Sequence, residues 1–276
     1  MLYLVGTPIG NMGDISSRAV EILSSVDYIA CEDTRVTGIL LKNLGIEEHK
    51  LISYHEHNKA SKGQELVDLL KQGFNVAQVS DAGMPAISDP GEDLVKLCIE
   101  QDVEFTVVPG PVAAITALVL SGISTRRYHY EGFLPNSGSE RRKRLKELPK
   151  YDETIVLYEA PHRLRKLVSE LKEEGFGPSR AAFCRELTKK YEEVLRMTID
   201  EAEAYYEQTE PRGEYVVCLE PAVKAAPVFD DEYIDSEIRR LREEGMSVKE
   251  IAKVLSDATG FNKKEMCSRA VSLLKS

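Results

Sequence analysis

Over residues 1–120 the chain alternates short apolar runs with longer stretches whose apolar positions recur every three to four residues. That is the pattern of strands interleaved with amphipathic helices. Leu2–Val5, Tyr28–Cys31, Val76–Ser80 and Phe105–Val108 read as strands. Ser16–Ser25, Thr34–Leu44, Ser61–Gln72, Glu92–Gln101 and Pro111–Leu120 read as helices, with Gly45 and Gly73 placed to close two of them in a left-handed turn. Such alternation calls for a largely parallel sheet flanked by helices.

The pattern changes between residues 121 and 150, where a Gly/Pro/Asn/Ser loop at Leu134–Ser139 precedes a basic segment. This stretch reads as a linker. A second α/β unit, with a mixed sheet, spans residues 151–221 and takes strands Thr154–Tyr158, Ala181–Arg185 and Tyr215–Leu219. Residues 222–276 open within the linker PAVKAAPVFD, which starts at Pro221, and continue as helices Asp231–Glu244, Ser247–Thr259 and Asn262–Leu274. Ser247 and Glu250 fit a capping box. The three helices read either as a helix-turn-helix element or as a packing element.

Composition narrows the class. A chain of 276 residues, 42% hydrophobic and 30% charged, can bury a sizeable core, and no apolar stretch approaches the ~20 residues needed to cross a bilayer. With no leader-like start, the expectation is a cytoplasmic protein. The five cysteines are scattered through apolar runs and read as reduced core residues. A net charge of −10 opposes non-specific attraction to nucleic acid, so an RNA partner requires a local basic patch. Residues 126–147 supply one, with seven basic against three acidic side chains and with Tyr128, His129, Tyr130 and Phe133 interleaved, where they could stack on unpaired bases. It reads as a cleft mouth facing RNA, or as an exposed hinge with aromatics packed beneath.

Three loops carry the candidate chemistry. VGTPIGNMGD lacks the spacing of a dinucleotide fingerprint and the Lys-Ser/Thr of a phosphate loop, and alone is a tight strand-to-helix turn. VSDAGMPAISDPG is more informative. Gly83 lets the backbone approach a ligand, Pro85 and Pro90 restrict the loop, and Asp81, Ser88 and Asp89 offer short polar groups, although Asp89-Pro90 also suits a helix entrance. VVPGPVAAITAL again sets Pro-Gly-Pro between a strand and a helix of small residues. Three such loops at the carboxyl ends of successive strands make a ligand cleft.

Taken together, LYLVGTPIGNMGDIS, CEDTR, SYHEHN, SDAGMPAISDPG, VVPGP, LYEAPHR, CRELTKKYEE and PRGEYV resemble the bacterial 16S ribosomal RNA cytidine 2′-O-methyltransferases of the tetrapyrrole methylase superfamily. The resemblance implies two α/β domains with S-adenosylmethionine in the inter-domain cleft, plus a small C-terminal helical appendage, and a homodimer. It implies donor contacts at Ile9, Asp81, Gly83, Met84, Val112 and Ala113, with Leu187 and Gly213 from the second domain. The acceptor would be 16S ribosomal RNA or the small subunit.

A ribose hydroxyl needs positioning behind the methyl group and help in losing its proton, but no metal. Glu32-Asp33-Thr34-Arg35 follows a strand, so Asp33 could serve the chemistry or cap the next helix, and Arg35 could hold a phosphate. His55-Glu56-His57 offers too few ligands for a metal site. In the run Arg185–Glu193 the resemblance raises Arg185, Glu186 and Lys189 to RNA-binding or catalytic candidates, Lys189 steadying phosphate or accepting the proton. Arg141, Arg142 and Arg144 are the further RNA-binding candidates. Two alternatives stand beside this: the same donor site serving a tetrapyrrole or protein side chain, and a non-catalytic RNA-binding or ribosome-assembly factor.

Overall fold

A computed structural model describes residues 1–47, 49–223 and 229–274. The chain divides into two compact units, Met1–Val223 and Lys224–Ser276. The first begins with a five-stranded parallel sheet of β1 (Leu2–Val5), β2 (Tyr28–Cys31), β3 (Lys50–Ser53), β4 (Val76–Val79) and β5 (Phe105–Val108), in the order β3-β2-β4-β1-β5. Helices α1 (Ser17–Ser25) and α2 (Thr34–Asn43) pack Ala19, Leu23 and Leu41 on one face. Helices α3 (Lys59–Lys71) and α4 (Glu92–Glu100) pack Leu66, Val67, Leu94 and Cys98 on the other. Each leucine or valine so buried contributes roughly 1.5–3 kcal/mol. The sequence expectation of a covered parallel sheet holds, with β3 added.

Helix α5 (Ala113–Ser121) leads to a second five-stranded sheet: β6 (Tyr128–Phe133), β7 (Thr154–Glu159), β8 (Arg180–Arg185), β9 (Glu193–Thr198) and β10 (Tyr215–Leu219), in the order β6-β7-β10-β8-β9. Only β6 and β7 run parallel; the other pairs are antiparallel, as a mixed sheet requires. Helices α6 (Gly138–Glu147), α7 (Pro161–Leu171) and α8 (Ile199–Gln208) cover one face, while α5 covers the other with Ala114, Ala117 and Leu118. The stretch 121–150, read as a linker, therefore supplies an edge strand and a packed helix of this sheet.

The basic segment is also redistributed. Tyr128 pairs with Thr154 and Phe133 with Tyr158, so Arg126 and Arg127 precede the end of β6 remote from Phe133. They line a hollow with Asp152, Glu153 and Glu220 rather than one cleft mouth.

The second unit holds α9 (Asp231–Glu243), α10 (Val248–Thr259) and α11 (Lys263–Leu273) around Ile238, Ile251, Leu255 and Ala270. Ser247 and Glu250 form the expected capping box. Of the linker PAVKAAPVFD, residues 224–228 lie outside the described residues. The five cysteines are free, four of them buried.

Candidate active site

The three loops converge at the carboxyl ends of β1, β4 and β5. Gly6 lies against Gly110 so closely that a Cβ on Gly6 would sit 2.6 Å from the Gly110 Cα. Thr7 and Gly83 exchange backbone hydrogen bonds at 2.9 and 3.2 Å, locking the first loop to the second. Gly83 has φ +87°, a conformation available to glycine without strain. Asp89 and Pro90 do not begin a helix here: α4 has Gly91 as its N-cap residue.

The second sheet closes over these loops. Tyr130 Oη lies 2.7 Å from Ser88 Oγ, and Tyr158 Oη accepts a 3.1 Å hydrogen bond from the Ala114 amide at the start of α5. Thr188 Oγ1 accepts from the Asn11 amide at 3.1 Å, and a Cβ on Gly10 would meet Lys189 Cγ at 2.4 Å, so the charged run lies on the first loop. Four non-glycine residues, Ala86, Ser88, Glu186 and Thr188, hold positive φ in these two facing segments. Strain of this kind costs about 1–3 kcal/mol per residue and concentrates at functional sites.

Between the walls is a cleft of about 560 Å³, within the ~300–1,000 Å³ of small-molecule sites. Of the sequence-predicted donor contacts, Ile9, Asp81, Gly83, Met84, Val112, Ala113 and Leu187 line it, and Lys189 joins them. Gly213 stands one residue from the lining residue Glu214, and a Cβ there would meet Glu186 Cγ at 2.5 Å. Sequence reasoning missed Tyr158, Glu159 and His162 as lining residues, although LYEAPHR contained them, together with Tyr215 and Val216; of the four aromatics singled out in the basic segment, Phe133 lines the cleft.

The sequence model of the Tetrapyrrole (Corrin/Porphyrin) Methylases matches residues 1–203. The chain belongs to the tetrapyrrole methylase family. A Synechocystis protein named ribosomal RNA small subunit methyltransferase I is 41% identical over 99% of this chain and 98% of its own length. A Bacillus subtilis protein of the same name is 47% identical over 80% of this chain and 75% of its own. Among solved structures, uroporphyrin-III C-methyltransferase from Thermus thermophilus superposes with a TM-score of 0.55 at 19% identity, covering 79% of this chain and 93% of that one. Diphthine synthase superposes with a TM-score of 0.62 at 14% identity, covering 80% and 90%.

This tetrapyrrole methylase is by homology an S-adenosylmethionine-dependent methyltransferase. The lining is of a kind that suits such a donor: Ile9, Met84, Val112, Leu187 and Val216 are apolar, as contact with a nucleoside would need, and Asp81 and Asp89 are acidic, as a sulfonium and an ammonium group would need. Burial, joined by the charges of Glu32 and Asp81, outweighs a hydrogen bond from Ser80 and pushes the Asp89 carboxyl up to about 6. Glu32 is raised by the same combination of burial and neighbouring acids.

Several sequence-nominated residues have different duties. Asp33 caps α2, accepting from the Arg35 amide at 2.8 Å, while both its oxygens take the Arg35 guanidinium and its own amide is held by Asp81 Oδ1 at 3.1 Å. These bonds from Arg35 lower its pKa to about 2, which makes it a weak proton acceptor. Asp33 and Arg35 lie outside the cleft lining.

Lys189 Nζ is 2.7 Å from Glu214 and 3.1 Å from Glu186. Burial pulls the Lys189 pKa down, but these two carboxylates outweigh it and the net shift is up. Lys189 is thus a fixed cation rather than a base with depressed pKa. Glu186 is itself lowered, first by the Glu214 amide and then by Lys189.

Arg141 is 2% exposed and binds Glu170 at 2.6 Å and the Pro135 carbonyl at 2.9 Å, with Glu159 at 3.7 Å. It is a structural residue, not an RNA contact. Arg144 binds the buried Glu131, and Arg185 spans to Glu193 at 3.6 Å. Arg142 stays exposed. His55 bonds Asn58 through its ring and its amide.

Proposed function

We propose that this tetrapyrrole methylase transfers the methyl group of S-adenosylmethionine to the ribose 2′-hydroxyl of a cytidine in small-subunit (16S) ribosomal RNA. The observation that carries the reading is the near full-length match to a protein named ribosomal RNA small subunit methyltransferase I. The same reading places the reaction in the cytoplasm.

When bound, the donor supplies an electrophilic methyl group, and the chain's own task is to position the acceptor oxygen and manage its proton. In this proposal Ile9, Asp81, Gly83, Met84, Val112, Ala113 and Leu187 hold the donor. Lys189, kept protonated by Glu186 and Glu214, stabilises the negative charge that develops on the acceptor oxygen as its proton passes to solvent water, or the charge of a flanking phosphate. Asp33 acts from outside the cleft by fixing Asp81. Arg35, Arg142, Arg144 and Arg185 supply charge for the RNA from outside the cleft lining. The proposal includes a homodimer, for which the exposed Ile115 and Val119 of α5 offer apolar surface.

The test is methyl transfer from labelled donor to purified small subunits, followed by alkaline hydrolysis. One ribose-protected linkage at a cytidine is the expected result. Label on a base, or transfer to a precorrin and none to subunits, overturns the reading.

A further inference from the structure

The second sheet offers the cleft a side chain whose position the local sequence explains and the donor site does not use. In the pairing of β6 with β7, Tyr130 faces Val156 and Gly132 faces Leu157, so Glu131 is one residue too many. Gly132 takes φ +68° to absorb it. Without this bulge, residue 133 would share a face with His129 and Glu131. With it, Phe133 moves to the face of Tyr130 and Tyr158; its ring lies 5.2 Å from Tyr158, and the Tyr130 and Tyr158 rings are 5.5 Å apart. Bulges beside active sites re-aim side chains in this way.

Phe133 then lines the cleft while 51% exposed. Its partner in this is Ile87 of the second loop, which also lines the cleft and is 44% exposed. Among the described residues these are the two large apolar side chains of the lining left so open. Their segments adjoin, because a Cβ on Gly132 would meet Ser88 Oγ at 3.0 Å and Ser88 is bonded to Tyr130. Of the other aromatics of β6, Tyr130 bonds Ser88, His129 stacks on Tyr151 at 3.8 Å and bonds Glu131, and the exposed Tyr128 stands at the opposite end of the strand, outside the cleft lining.

We propose that Phe133, with Ile87 beside it, is the shelf on which the acceptor nucleobase stacks once it leaves its RNA helix. The proposal rests on the ribose-methylation reading and deepens it. To reach a hydroxyl at the base of a cleft, a nucleotide must be extruded and its base must exchange stacking neighbours for protein. An open ring on a rigid strand, backed by Tyr158, supplies that surface without reading the base's hydrogen-bonding edge. The identity of the base is then read elsewhere.

The test compares Phe133→Ala, Phe133→Leu and Phe133→Trp with the unaltered chain on purified small subunits at saturating donor. Donor affinity is measured by calorimetry on the same preparations. Stacking on one base corresponds to roughly a five- to 150-fold change in equilibrium. Phe133→Ala and Phe133→Leu should lose kcat/KM for subunits by a factor in that range, mainly through KM, with donor affinity unchanged. Phe133→Trp should stay within a few-fold of the unaltered chain. Unchanged kcat/KM in Phe133→Ala, or Leu serving as well as Trp, overturns the shelf. Loss of donor affinity in parallel overturns it too, since Phe133 would then belong to the donor site. If the unaltered chain leaves subunits unlabelled, the ribose-methylation reading fails and the shelf falls with it.

Discussion

The two walls of the cleft are built on opposite terms. The first-sheet wall is shaped by backbone: Gly6 against Gly110, Thr7 against Gly83, with no room for added atoms. The second-sheet wall is shaped by side chains: the Tyr130–Tyr158–Phe133 rings, the Glu186–Lys189–Glu214 cluster, and the buried Arg141 beneath. The difference teaches where each wall is vulnerable. Adding atoms should damage the first, and removing them should damage the second.

The largest expected effect is on the second wall. Arg141→Ala removes the cation that Glu170 and Glu159 share, leaving Glu159 with Arg163 at 2.6 Å and the half-buried Glu170 with Lys166 at 3.7 Å, so the cost falls at the lower end of the ~3–5 kcal/mol of breaking a buried pair from one side. Arg142→Ala, one residue along the same helix but exposed, should change stability by less than ~0.5 kcal/mol. Chemical denaturation of both variants checks this, and equal effects would break the contrast.

Next comes Gly6→Ala on the first wall. One methyl group must displace the Gly110 backbone, at a cost of about 1–3 kcal/mol, and donor affinity should fall with it. Calorimetry showing unaltered donor binding in Gly6→Ala would remove the claim that close backbone packing shapes this wall.

The smallest effect sharpens the electrostatic part of the comparison. Asp89 has a native pKa of about 6 against an ordinary 3.8, so the native state holds its proton more tightly than the unfolded chain. Stability contributed by that proton is present below the ordinary value and is lost as pH rises through about 6. A rise from the ordinary value to about 6 would be worth ~3 kcal/mol in full burial, and partial exposure reduces this to about 1 kcal/mol. Asp89→Asn should therefore be more stable than the unaltered chain at pH 7.5 and no more stable at pH 4, as thermal unfolding at both pH values will show. A gain independent of pH would assign it to something other than the charge.

How much of this was written legibly in the chain follows the same division. Strands such as Val76–Val79, buried along their whole length, stand out as apolar runs. Lys50–Ser53, Tyr128–Phe133 and Glu193–Thr198 are edge strands, half open to solvent and carrying charges, so their composition matches that of a loop. The backbone-shaped wall announced itself through glycine and proline at Gly83, Pro85 and Gly110. The side-chain wall did not, because Phe133 depends on a bulge and Tyr158 on a contact with a helix 44 residues away. Arg141 left a faint signal. It shares a helical face with Leu145 and Leu148, a spacing that marks it as inward-facing, but the run of four basic residues masked it.

The central claim is that the donor sits on the first-sheet loops within this cleft. Titration calorimetry with S-adenosylmethionine on the full chain and on Gly83→Val tests it most directly, since a side chain at Gly83 is strained by its φ of +87° and meets Ile9 at 3.3 Å. The account predicts saturable binding near one donor per chain that Gly83→Val abolishes or weakens at least tenfold. Saturable binding that is equal in both proteins, or no binding and no thermal shift in the unaltered chain, would contradict it.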